Sequence, residues 1–267
     1  MIAALSASGG MDSTSLLLNL LANDHIVYAV SFDYGQKHSI EIQRLKNNIK
    51  YLQSKNLRVH HEIMDLSGMM RYFESSLTGS GDIPEGHYEQ ESMKKTVVPN
   101  RNAIFSSLMY GYALTLGLRT QKTIKLALGV HSGDHAIYPD CRPIFYEKLF
   151  DAFNVGNWDS HLVMKYLPYI DSDKYGILKD ALVSCEKLDL DFDLIFRNTN
   201  TSYQPDHLGR SSGKTGADIE RILAFYQLGK KDPVPYVDTW ENVLQHALKV
   251  EKEYRKKNEN MHSENRV

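Results

Sequence analysis

Six consecutive residues, Ser8, Gly9, Gly10, Met11, Asp12 and Ser13, carry the most specific chemical signal in the chain. They follow a short apolar run at 2–5 and open a helical pattern at Ser13. Two glycines and a hydroxyl-rich turn between a strand and a helix leave backbone N–H groups at the positive end of the helix dipole, which makes a seat for an anion, above all phosphate. Gly9 and Gly10 tolerate positive φ and let backbone approach a ligand, while the Ser8 and Ser13 hydroxyls add donors. Asp12 can orient a hydroxyl, accept from the turn, or help hold Mg²⁺. The plainer alternative is an ordinary strand-to-helix turn capped by Asp12 or Ser13. The loop lacks both the Gly-Lys-Ser/Thr ending of γ-phosphate-transfer loops and the third glycine of a dinucleotide fingerprint.

Three further stretches hold chemistry-bearing residues at strand or helix ends. Phe32-Asp33-Tyr34-Gly35-Gln36-Lys37-His38 sits where a second strand should finish, at the same sheet edge as the first loop. Val98-Pro99-Asn100-Arg101-Asn102 precedes a long helix. The loop 131–142 carries His131, Gly133, Asp134, His135, Tyr138, Pro139, Asp140, Cys141 and Arg142. Taken singly, each has a plain reading: Arg101 as a surface ion-pair residue, Asn100 or Asn102 as a helix cap, Asp134 and Asp140 as turn formers. His131 and His135 are four apart in a glycine-containing loop, which favours polar loop contacts over a metal pair. Cys141 reads as a buried small residue.

The elements that must position these groups alternate. Residues 13–21 place Leu16, Leu17, Leu20 and Leu21 on one helical stripe, and 25–32 is a β-rich run, so the first unit is a right-handed βαβ. Helix 40–53, strand 59–64, a buried helix 103–117, strand 123–130, helix 145–153, strand 164–170 and helix 174–188 continue the pattern. An aperiodic polar insertion at about 67–96 reads as a lid. Residues 192–197 read as extended, 219–228 and 240–251 as amphipathic helices whose apolar faces bury within the monomer or pair across a dimer, and the polar end from Arg255 as frayed. The fold class is α/β, a doubly wound mainly parallel sheet with a helical C-terminal region. The expected division is 1–190 and 191–267.

Composition bounds the rest. The 267 residues are 42% hydrophobic and 24% charged with a formal net charge of −2, which speaks against a protein built to coat nucleic acid. The two cysteines, Cys141 and Cys185, are too far apart to form a metal pair by spacing. With no membrane-length apolar run and no room for a signal peptide before the first strand, a cytoplasmic location is expected.

Read together and in order, Ser8 to Ser13, Phe32 to His38, Val98 to Asn102 and Tyr138 to Arg142 resemble the 7-cyano-7-deazaguanine synthase family, which has the N-type ATP pyrophosphatase (PP-loop) fold. The likeness extends in weaker form to about residue 226. The family, of queuosine biosynthesis, turns 7-carboxy-7-deazaguanine, ammonia and two ATP into a nitrile through a carboxyl-adenylate and an amide. The resemblance implies that Ser8, Gly9, Gly10, Met11, Asp12 and Ser13 grip pyrophosphate and that Phe32, Asp33, Tyr34, Gly35 and Gln36 line the nucleotide. It implies that His38, Arg101, Asn102, Tyr138, Asp140 and Arg142 meet the substrate, with Asp12, Arg101, Asp134 and Lys174 as the catalytic set. Mg²⁺ would bridge the phosphates.

The family's four zinc cysteines are replaced by Ser202, Ser212, Thr215 and Asp218. Hydroxyls are very weak zinc ligands, so no zinc is expected, and replacement packing around 199–221 must take over, with the helix at 240–254 as one support. The acceptor is ammonia or, since relatives also occur in bacterial anti-phage defence gene clusters, a protein amine. A homodimer, no membrane and no direct nucleic-acid contact complete the expectations. The competing readings are a non-catalytic nucleotide-binding scaffold and a tRNA-modifying pyrophosphatase of the same fold.

Overall fold

Strand β1 (Ile2–Ser6) is apolar along most of its length, and the sheet is built outward from it on both sides. In the computed structural model, residues 1–34, 40–70, 72, 97–133, 138–202 and 206–264 are described. After β1 come α1 (Met11–Ala22), β2 (Ile26–Asp33), α2 (Ile40–Ser54), β3 (Val59–Asp65) and a single turn, α3 (Ser67–Met70). Then follow α4 (Arg101–Thr120), β4 (Ile124–Ala127), α5 (Pro143–Gly156), β5 (Val163–Tyr166) and α6 (Lys174–Leu188). The C-terminal region holds α7 (Phe192–Arg197), α8 (Gly216–Gln227) and α9 (Trp240–Glu264).

The sheet is parallel throughout in the order β3-β2-β1-β4-β5, with Ile2 beside Ile26 on one side and Ile124 on the other. Ala3, Ala4 and Leu5 are wholly buried, as a central strand covered on both faces requires. Alternation decides which face each residue serves. Ala3 and Leu5 join Leu16, Leu17, Leu45, Ile49, Ile177, Phe196 and Phe225, so α1, α2, α6, α7 and α8 cover one face. Ile2 and Ala4 join Met109, Tyr110, Tyr146 and Phe150 of α4 and α5 on the other. The chain adds β2 and β3 to one side of β1 and then crosses to add β4 and β5, so the strand order reverses between β1 and β4. A crevice opens outside the carboxyl ends of the strands at such a point.

Several elements differ from expectation. Residues 192–197 are helical rather than extended: Asp191 accepts the Leu194 N–H at 2.9 Å as an N-cap, and Phe192 and Phe196 stack four residues apart. Strands β4 and β5 are four residues each, shorter than their apolar runs, because the chain turns out of the ladder toward the crevice. Helix α4 starts at Arg101 and is not buried all round: Ser106, Met109, Tyr110, Ala113, Leu116 and Gly117 form its buried stripe. Asn100 is its N-cap residue in the left-handed region, with no side-chain cap bond. Helix α9 runs on to Glu264. The apolar faces of α8 and α9 pack on each other within the chain, Ile219 and Ile222 against Val243 and Ala247. The expected lid lies outside the described residues apart from α3 and Tyr72.

The helical reading of α7 has a measurable consequence. Phe196 is fully buried, so Phe196→Ala is expected to cost about 3–5 kcal/mol. Loss of the cap in Asp191→Ala is expected to cost about 1 kcal/mol. Urea unfolding of both variants checks the ordering; equal small losses would contradict the packing of α7.

Candidate active site

Helix α1 begins without a side-chain cap: its N-cap residue is Gly10, and neither Asp12 nor Ser13 folds back to serve. The hydroxyls instead brace the loop. Ser8 N–H donates to Ser13 Oγ at 3.2 Å, the two hydroxyls lie 3.0 Å apart, and Gly10 N–H donates to Ser8 Oγ at 3.2 Å. Gly9 has a φ of +86°, and a Cβ there would sit 2.5 Å from the Glu41 carbonyl oxygen, so no other residue fits. The first-turn amides of α1 thus face the crevice with the helix dipole behind them.

The crevice holds a cavity of about 290 Å³. Its floor is the loop after β1 (Ser8, Gly10, Met11, Asp12, Ser13) and the loop after β4 (Gly129, Val130, His131). One wall is aromatic: Phe32 stacks on Phe105 with ring centroids 4.3 Å apart, and Tyr34 lies tilted 5.4 Å from Phe105. Arg101, Asn102, Tyr138, Cys141 and Tyr146 continue the lining, and Lys174, Asn200 and Thr201 close it. Burial raises the Tyr34 hydroxyl above its ordinary value, with the adjacent Arg101 pulling the other way.

At the start of α6, Lys174 is almost wholly buried and lies 2.8 Å from Asp12 Oδ2, 3.0 Å from His131 Nε2 and 3.6 Å from Glu220 Oε2. Burial pushes the Asp12 carboxyl up, but Lys174 and His131 outweigh it and hold the carboxyl below its ordinary value. The other Asp12 oxygen, Oδ1, is buried with no hydrogen-bond partner among the described residues. His131 is held by the Gly133 N–H, which donates to Nδ1 at 3.1 Å. Its polar contacts therefore reach a charged pair rather than only its own loop.

Of the residues singled out from the sequence, Ser8, Gly10, Met11, Asp12, Ser13, Phe32, Tyr34, Arg101, Asn102, Tyr138 and Lys174 meet at this cavity. Gly9 shapes the floor from behind. Asp33, Asp140 and Arg142 are outside the lining, and Arg142 is exposed. Gly35, Gln36, His38 and Asp134 lie outside the described residues. Cys141 is buried, and the Asn102 side-chain N–H donates to its sulfur at 3.3 Å. Ser202, Ser212, Thr215 and Asp218 converge away from the cavity: the Ser202 and Ser212 hydroxyls donate to Asp218 Oδ2 at 3.4 and 3.3 Å, and Thr215 and Asp218 form a capping box at the start of α8.

Sequence reasoning missed Glu41, His131, Asn200 and Thr201 as site residues. Glu41 carried a signal of sorts, an acid in the first turn of a helix following a glycine-bearing loop, but Asn200 and Thr201 reach the cavity only through long-range folding. Asn200 N–H donates to the Gly9 carbonyl at 3.1 Å, and its amide donates to Glu41 Oε1 at 3.2 Å. Burial raises the Glu41 carboxyl to about 7, against the opposing pull of Asn200, Arg101 and Arg44.

The family model described as queuosine biosynthesis protein QueC matches residues 2–229. A 7-cyano-7-deazaguanine synthase of Psychromonas ingrahamii is 43% identical over 234 residues, covering 87% of this chain and 96% of that protein. A 7-cyano-7-deazaguanine synthase 1 of Colwellia psychrerythraea is 43% identical over 230 residues, covering 86% and 95%. One from Methanoregula boonei is 41% identical over 237 residues, covering 88% and 99%.

Glu41 provides a pH test of the cavity. Its folded value of about 7 lies above the ordinary 4.5, so its contribution to stability is fully present below the unfolded value and is lost as pH rises through about 7. Glu41→Gln, which stays neutral, is therefore expected to gain stability relative to the wild type between pH 5 and pH 8. Urea midpoints at the two pH values check this; a difference that stays constant would show that the carboxyl is not held in its neutral form.

Proposed function

The chain belongs to the QueC family, and we propose on that footing that it is an ATP-dependent 7-cyano-7-deazaguanine synthase acting on 7-carboxy-7-deazaguanine. The observation that carries this reading is the joint opening of an uncapped, glycine-built helix N-terminus, Arg101 and the Asp12–Lys174 pair into one cavity with an aromatic wall. A carboxylate is a poor electrophile, and the cavity has what is needed to make it a better one. A carboxylate oxygen of the substrate attacks the α-phosphorus of ATP. The bond from that phosphorus to the bridging oxygen breaks, and pyrophosphate leaves with the electron pair.

Charge develops on the α-phosphate oxygens and on the departing pyrophosphate. The α1 amides take the pyrophosphate, while Arg101 and Lys174 spread positive charge over the reacting phosphorus. Asp12 and His131 hold Lys174 at one position rather than letting a flexible four-carbon stem wander. Phe32, Phe105 and Tyr34 supply aromatic surface for a purine-like ring, and Tyr138 and Asn102 add polar atoms to the same lining. An amine then attacks the acyl carbon, AMP leaves, and a proton is lost to solvent. With ammonia the product is an amide, and a second adenylation on the amide oxygen followed by loss of AMP gives the nitrile. A protein amine would stop at an amide conjugate.

Asp12 Oδ1, a buried oxygen without a partner among the described residues, suits a magnesium ion carried on the phosphates, which when bound would neutralise their charge. Zinc does not fit the C-terminal positions. Ser202, Ser212 and Thr215 offer hydroxyls, and the single carboxylate of Asp218 is already engaged by the Ser202 and Ser212 hydroxyls and the Thr215 backbone N–H.

Mass analysis of purified protein with ATP, Mg²⁺ and the deazaguanine acid, with and without ammonium, tests the reading. AMP should appear only with the acid, and the nitrile only with ammonium. Arg101→Ala is expected to lower AMP formation by about 10²- to 10³-fold. Acid-independent AMP, or none while ATP remains bound, would remove the proposal, and a product mass fixed to protein would replace the nitrile by a conjugate.

A further inference from the structure

The largest side chain buried almost completely in the fold is a charged one, Arg221 of α8, and it does not line the cavity. All its nitrogens are engaged. Nε and Nη2 donate to Asp232 at 2.6 and 2.9 Å, Nη1 donates to the hydroxyls of Thr199 at 2.7 Å and Thr201 at 3.0 Å, and Nη2 also donates to the Phe196 carbonyl at 3.2 Å. Asp232 is buried too, and it accepts from the Tyr236 hydroxyl at 2.7 Å and the Val234 N–H at 3.2 Å. One face of the guanidinium is thus fixed by the segment after α8, and the other grips residues 196–201.

The end of that gripped segment reaches the cavity. Asn200 and Thr201 line it, and Asn200 N–H holds the Gly9 carbonyl. Arg44 supports the same turn from α2, donating to the Thr199 carbonyl at 2.9 Å. Gly9 also lies close against the Glu41 carbonyl of α2. The loop therefore touches both α2 and the 199–201 turn, and its backbone is placed only as well as that turn is.

We propose that Arg221 is a positioning residue for the phosphate-binding loop, acting through Thr199–Thr201 on Gly9 and itself set by Asp232. Asp232 and Tyr236 lie past residues 2–229 of the family match, so the segment following α8 belongs to the support of the nucleotide site. Backbone amides aimed at a polyanion lose their effect with small displacements, so loosening the turn should weaken nucleotide binding before it touches the acid substrate. The proposal rests on the reading of the cavity as the nucleotide site.

Thr199 makes the cleanest test, since it is fully buried and outside the lining. Thr199→Val removes the hydroxyl's bond from Arg221 and its own bond to the Phe196 carbonyl, and the Kd for a non-hydrolysable ATP analogue by calorimetry and the KM for ATP are expected to rise about 5- to 20-fold. KM for the acid should stay within about twofold. Thr199→Ser, which keeps the hydroxyl, should stay near wild type on every measure. Asp232→Asn should move ATP affinity in the same direction with a lower Tm, and if it does not fold, Thr199→Val decides alone. A folded Thr199→Val that binds the analogue like wild type overturns the proposal and leaves the nucleotide site standing. Wild-type protein that binds no analogue overturns both.

Discussion

The first turn of α1 leaves its backbone donors open to the crevice with no side chain capping them, and much of the molecule follows from that constraint. A helix whose N-cap is glycine gives up the side-chain bond of a Ser, Thr, Asn or Asp cap, at a cost of only about a few tenths of a kcal/mol, and with it the anchor that such a bond provides. Its start must be fixed by other means. Here the strand before it is buried on both faces, the Ser8–Ser13 hydroxyl clasp closes the loop, and the Gly9 carbonyl is held from across the chain by Asn200. Gly129 packs behind the same turn, where a Cβ would lie 3.3 Å from the Ser13 nitrogen. The loop is hemmed in on each of these sides by close backbone neighbours.

The same logic governs the buried cations. Lys174 and Arg221 are both buried, and a lone buried charge would be strongly destabilising. Lys174 stands beside Asp12, with His131 and Glu220 close by, and its ammonium reaches the cavity. Arg221 meets Asp232 in a two-point fork and points its remaining donors at neutral oxygens. A point charge on a flexible stem suits the group that faces the open cavity. A planar fork suits the one that must hold a turn still.

Much of this was legible in the sequence because the informative residues sit at element ends. The strand–loop–helix at 2–22, the βαβ alternation and the starts of α2 and α6 follow from local periodicity and glycine placement, and Arg101 and Lys174 each open a helix at the cavity. What escaped were residues whose role exists only in contact. Asn200 is polar in a polar stretch until folding brings it to Gly9, and Arg221 looks like an ordinary helix charge until Asp232 is seen beside it. The α7 segment was misread because two phenylalanines and an isoleucine within six residues resemble a strand, although Asp191 before them is a helix-capping signal. The four-residue β4 follows from Gly129, Val130 and His131 being needed for the cavity floor rather than for the ladder.

The C-terminal region shows how a hydrogen-bonded cluster can hold strands of loop together where soft metal ligands are absent. Asp218 gathers Ser202, Ser212 and the Thr215 backbone onto one buried carboxylate, tying the 202 turn, the 212 turn and the start of α8 into one unit. Burial drives the Asp218 carboxyl above its ordinary value, and the hydrogen bonds it accepts oppose that rise. A carboxylate in this position trades strength for dependence on its surroundings, since each donor it loses leaves a charge less well solvated. One turn further along the same helix, Arg221 carries the mechanical connection from this cluster to the cavity wall. Helix α8 therefore bonds a buried cluster at its first turn and, through Arg221 in its second, the 196–201 segment whose Asn200 holds the Gly9 carbonyl, and the arrangement holds only while both buried charges keep their partners.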